Sequence, residues 1–126
     1  MANEATITAQ LRIDKNNVKY NSPNSTFQGD VTGKDGPVPG AISVTTSGTD
    51  ISFSELTTPG YVEFRSLEDD GGNFVEFGIW DGATFHELGE LLPGENYILR
   101  LSRNMTGLRF KADTAAVNVF IGAFET

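Results

Sequence analysis

The chain holds one histidine and no cysteine, so the side chains that most often carry nucleophilic, proton-transfer and transition-metal chemistry are nearly absent. His86 stands beside Glu87 after the turn DGAT. Such a pair is a dyad on paper, but its place reads as an exposed histidine at a strand end. Glu68, Asp69, Asp70 and Asn73 surround Gly71 and Gly72 in an oxygen-rich loop. Calcium takes about six to eight oxygen ligands, best supplied from alternating positions. Here the acids are consecutive and point in different directions, so a solvated hairpin loop is expected. Seventeen acids allow any carboxylate pair a glycosidase needs, and nothing in the order of residues selects one. GKDG at 33–36 lacks the glycine-rich run and the strand-to-helix context of a phosphate loop. The expectation is a protein that is not an enzyme, with no catalytic residue, no cofactor and no metal site.

What remains is the scaffold. A chain of 126 residues makes one domain, and 38% hydrophobic residues are enough for one core. Without cysteine there is no disulfide framework. Nine basic against seventeen acidic residues leave a net charge of −8, the wrong sign for nucleic acid or an anionic membrane. No run approaches the roughly 18 apolar residues of a membrane span, and MANEATITAQLRID is not a secretory signal. Synthesis and folding in a cytoplasm are expected, and no nucleic-acid or membrane partner.

The dominant period is two. Ile7, Ala9, Leu11 and Ile13 alternate with polar residues as a half-buried strand, and DKNN at 14–17 turns it into a hairpin over 6–21. Residues 22–40, with three prolines and four glycines, read as a long loop with at most a short strand near Phe27. Further strands are expected at 41–46, 51–56, 61–66, 74–80, 84–88, 97–102, 108–112 and 115–125. Turns are expected at TTPG (57–60) and PGEN (93–96), where proline pre-sets φ and glycine tolerates a positive value. No window makes an amphipathic helix. Nine or ten short strands indicate an all-β fold, a jelly-roll-like β-sandwich forming a single domain over 6–126 behind a flexible tail at 1–5.

Two strands carry aromatics on the face that should be polar. Phe74 and Trp80 share a face with Glu76 and Gly78, and Phe120 and Phe124 share one with Asn118 and Gly122. Four such side chains exposed together would make a patch that monomers avoid, so Phe74, Trp80, Phe120 and Phe124 are the expected partner interface. The competing expectation is that the loop at 22–40 covers them.

The run TTPGYVEFRSLEDDGGNFVEFGIWDGATFHELGELLPGENYILRLS, followed by KADTAAVNVFIGAFE, resembles small β-rich virion structural proteins of tailed bacteriophages. The likeness covers roughly residues 50–125. It rests on Thr58-Pro59-Gly60, Ala83-Thr84-Phe85, Leu92-Pro93-Gly94-Glu95, Arg100, Lys111-Ala112 and Ala115-Ala116. Ser66 and Ala83 stand where that pattern has asparagine and glycine. The resemblance implies a non-enzymatic virion protein of the capsid decoration (cement) type, located in the virion. Its partners would be the major capsid protein and further copies of itself, as a homotrimer. The alternatives are a tail or fibre-associated virion protein, or a carbohydrate-binding β-sandwich with Trp80, Tyr61 or Tyr97 stacking on a sugar.

Overall fold

Val117, Val119, Ile121 and Ala123 are fully buried while Asn118 between them is exposed and Phe120 is half-buried. This alternation is the pleat of a strand with one face in a core. A computed structural model describes residues 4–31, 37–69 and 72–125 and contains only strands and turns among them. The chain divides into two compact units, Met1–Thr32 and Gly33–Thr126.

The second unit holds eight strands. They are β5 (Val38–Val44), β6 (Thr49–Ser52), β7 (Pro59–Ser66), β8 (Val75–Trp80), β9 (Phe85–Leu91), β10 (Asn96–Arg100), β11 (Gly107–Ala112) and β12 (Val117–Glu125). One sheet runs β10-β7-β12-β5 and the other β6-β11-β8-β9, antiparallel throughout. The partners are nested. β8 and β9 form the innermost hairpin, while β7 with β10, β6 with β11 and β5 with β12 pair progressively further out. A long two-armed ribbon wrapped so that successive pairs alternate between sheets is the jelly-roll topology, and the unit is a jelly-roll β-sandwich.

The two sheets meet through aromatic rings. Phe64 of β7 packs against Phe110 of β11, centroids 5.1 Å apart and nearly perpendicular, and against Phe77 of β8 at 5.3 Å. Edge-to-face contacts suit the ring quadrupoles and add about 0.5–1.5 kcal/mol per pair beyond area burial. The Phe77 ring lies against Gly89 of β9, where a Cβ would come within 2.8 Å of it. Val44, Ile51, Phe53, Val62, Val75, Leu91 and Val117 complete the core.

The first unit has four short strands, β1 (Ala5–Ala9), β2 (Arg12–Lys15), β3 (Val18–Asn21) and β4 (Ser25–Gly29). β2 and β3 form the hairpin expected from the DKNN turn, with Asn16 at φ 52°. β1 does not continue into it; it pairs with β4. None of residues 4–31 is buried.

Three expectations are corrected. The sandwich begins at Val38, not residue 6, and Ala5 is already strand rather than tail; residues 1–3 lie outside the described residues. The segment 22–40 holds the short strand expected near Phe27, as β4, but it is not otherwise loop, since it also supplies the start of β5; residues 32–36 lie outside the described residues. Pro59 and Gly60 do not turn but open β7, where the Gly60 carbonyl accepts from Leu101 N–H at 2.7 Å. Proline is tolerated there because the first residue of a strand need not donate. The second turn stands. Gly94 has φ 80°, and Glu95 N–H donates to the Leu92 carbonyl at 3.0 Å around Pro93.

Candidate interaction surfaces

The four aromatics singled out by sequence do not meet. Trp80 ends β8, in one sheet, and Phe120 and Phe124 lie on β12, in the other. The face of β12 that carries Phe120 and the face of β8 that carries Trp80 both turn away from the shared core, so they are opposite outer surfaces of the sandwich. Phe74 precedes β8 and Trp80 ends it, about 20 Å away at roughly 3.3 Å per residue. Phe124 is half-buried at the irregularity where the register of β12 to β7 shifts.

Phe120 and Trp80 each have a local partner. Phe120 lies over Gly122, where a Cβ would meet its ring at 2.9 Å, and the Arg65 guanidinium sits 4.9 Å from the ring centroid. Arg65 is opposite Phe120 in the β7–β12 register, so the cation–π contact follows from strand pairing. Trp80 carries the Arg109 guanidinium at 3.9 Å from its ring centroid. Arg109 Nε and Nη2 donate to the two carboxylate oxygens of Asp50 at 2.7 and 3.1 Å. That bidentate bond holds the Asp50 carboxyl below its ordinary value and raises Arg109. Trp80 remains 39% exposed.

Between Phe74 and Trp80 the outer face is acidic. Glu76 pairs across to Glu90 on β9 and to Lys111 on β11. Partial burial, then the charge of Glu87, pushes the Glu76 carboxyl up; Lys111 opposes, and Glu90 and Asp113 add to the rise.

His86 is an exposed structural partner. Its Nε2 lies 2.7 Å from Asp81 Oδ2, while Asp81 Oδ1 accepts from the N–H groups of Ala83 and Thr84 at 2.8 and 2.7 Å. Asp81 thus closes the β8–β9 turn as an Asx turn, and these bonds, led by His86, hold its carboxyl well below the usual range. In the acidic loop, Glu68 Oε1 accepts from Asn118 N–H at 2.9 Å and so ties the loop to β12. Asp70 and Gly71 lie outside the described residues. No group of three or more histidine, aspartate or glutamate residues is placed to hold a metal ion among the described residues. No helix there is long and apolar enough to cross a membrane.

The apolar side chains most exposed to solvent include Leu11 and Ile13, expected on the buried face of a half-buried strand, and their neighbours Val18 and Tyr20. In the β2–β3 hairpin, Ile13 stands opposite Tyr20, with Leu11 and Val18 on the same face; Arg12, Asp14, Lys19 and Asn21 take the other. In the β1–β4 ladder Ile7 stands opposite Phe27. Leu11 is 57% exposed, Val18 60% and Tyr20 54%. Their period-two signal is legible in the sequence; their exposure is not.

Comparison with known proteins returns no match to a protein family, to a curated protein or to a solved structure.

Proposed function

We propose that the chain is a capsid decoration protein of a tailed bacteriophage, binding the shell surface and reinforcing contacts between neighbouring capsid subunits. The observation that supports this reading most is the first unit. It is two amphipathic two-stranded ribbons with an apolar face each and no buried residue among the described residues 4–31. Isolated two-stranded ribbons are marginal in water, and a contiguous apolar face seeks a partner surface. Charge agrees. Arg12, Lys15 and Lys19 balance Glu4, Asp14 and Asp30, so the whole excess of −8 falls on residues 33–126. A neutral arm can close on a surface while an acidic body stays soluble.

The work done is association rather than bond chemistry. Many identical copies, each covering a modest area, stabilise a shell by mass action and avidity. The partners are the major capsid protein and other copies of this chain, as a trimer that matches three-fold lattice positions. Phe120 and Trp80, on opposite outer faces, would contact different neighbours rather than one.

The test is co-sedimentation of the purified full-length chain with shells assembled from the capsid protein of the virus that encodes it, then cryo-electron microscopy of the particle. Saturable binding at regular lattice sites is expected. Density only on the tail or a fibre would replace decoration with the tail-associated reading, and no particle association would end both.

A further inference from the structure

We propose that the shallow cleft beside Trp80 is a saccharide subsite that seats one neutral pyranose ring against the indole. The site is built by register. Arg109 of β11 is flanked by Asp50 on β6 and Gly78 on β8. Two residues along, Gly107 faces Ser52, and continuing the Arg109–Gly78 pairing by two residues brings Trp80 to its other side, where both line the same cleft. With no side chain at 107, a trough opens between Ser52 and Trp80. The glycine is required there, because a Cβ would come within 2.5 Å of the Ile51 carbonyl oxygen. The resulting cleft has a volume of about 290 Å³ and is lined by Asp50, Ser52, Trp80, Thr106 and Gly107 over an apolar floor. That is the small end of ligand sites, which run to about 300–1,000 Å³, and it suits one sugar ring with the rest of a chain in solvent.

The chemistry of the walls selects the ligand. Trp80 is left 39% exposed with the Arg109 guanidinium over one face, so the C–H face of a pyranose would meet the indole surface that Arg109 leaves open. Arg109 fixes the indole by stacking at 3.9 Å, and its own charge is answered by two hydrogen bonds to Asp50. The platform is therefore held in place before any ligand arrives, which lowers the ordering cost of binding. The Asp50 side chain is 68% exposed and keeps acceptor capacity beyond the two bonds from Arg109. The Thr106 hydroxyl can donate or accept, and the Ser52 hydroxyl, which donates to Ser54 Oγ at 2.8 Å and accepts from Ser54 N–H at 3.2 Å, keeps one further acceptor position. A rim of hydroxyls and one carboxylate fits sugar hydroxyls. An anionic sugar or a nucleotide would meet a carboxylate and a body of net charge −8 with no unpaired cation in the cleft wall, so the ligand is neutral.

This site is independent of the capsid reading, which rests on residues 4–31. Trp80 is the sole tryptophan, so the emission of the intact chain reports on the cleft alone. The probes are cellotetraose, chitotetraose and a β-linked galactose tetramer, each titrated to high millimolar concentration, with saturation-transfer NMR on the same mixtures. A saturable emission shift with at least one probe is expected. Saturation transfer to that probe should be lost in Trp80→Ala, weakened several-fold in Ser52→Ala, and kept in Phe120→Ala, with thermal melts verifying the fold of each. Absence of a saturable response to all three probes overturns the assignment, as does saturation transfer that survives Trp80→Ala. A proline-rich peptide that shifts the emission when no sugar does would also overturn it, marking a peptide groove instead.

Discussion

Glu76 sits on the outer face of β8 directly across from Glu90, with Glu87 close by. Like charges placed opposite one another on a sheet destabilise by a few tenths of a kcal/mol to about 1 kcal/mol. Its carboxyl is raised, so the folded state holds the proton more tightly than the unfolded chain. Stability is therefore gained as pH falls through the raised value, and the gain is complete below the ordinary value of 4.5. Glu76→Gln should raise Tm by roughly 1–4 °C at pH 7, and the difference should vanish near pH 4. Calorimetry across that range checks both sign and window. Asp81 works in the opposite sense: its depressed carboxyl contributes above the ordinary 3.8 and loses that contribution as pH falls through the lower folded value. Gly78 has a different constraint. A Cβ there would stand 2.0 Å from the His86 carbonyl oxygen, at the bulge between β8 and β9. Gly78→Ala should cost at least the ~1–3 kcal/mol of an overpacked site, read as a fall in the denaturant midpoint.

At the scale of elements, the ribbons and the sandwich strands carry the same alternating pattern with opposite outcomes. Ile13 opposite Tyr20 resembles any core pair in sequence, yet both are exposed. If the ribbon face is a contact surface, replacing this pair should damage assembly and spare the fold. Ile13→Asp with Tyr20→Asp should abolish co-sedimentation with shells and reduce the sedimentation coefficient to that of a monomer. The main thermal transition should move by no more than about 1 °C, since surface changes of this kind stay within about 0.5 kcal/mol. An unchanged oligomer and unchanged shell binding would show that the ribbons are not the contact.

For the molecule as a whole, stability is concentrated where the two sheets share rings. Phe110 is fully buried and touches both Phe64 and Phe77. Phe110→Ala should cost about 3–5 kcal/mol, a large share of what a domain of this size has. Equilibrium unfolding monitored by far-ultraviolet circular dichroism would show it. Phe120→Ala, whose ring lies on an outer face under Arg65, should cost much less.

Much of this was legible in the residues. The alternation of Val117, Val119, Ile121 and Ala123, the Pro93–Gly94 turn and the eight strands of the sandwich follow from local rules, because period two and turn chemistry act over a few residues. The placing of Trp80 on the face of β8 away from Val75 and Phe77, and of Phe120 on the face of β12 away from Val119 and Ile121, was likewise a local inference. That those two faces point to opposite sides depends on which sheet each strand joins, a matter of nested long-range pairing that no local window contains. The same reason hid the trough at Gly107, which exists only because β6 and β8 flank β11. It also hid the fate of Leu11, Ile13 and Tyr20. Alternation says that a face is apolar, and only the tertiary structure decides whether anything in the chain is left to cover it.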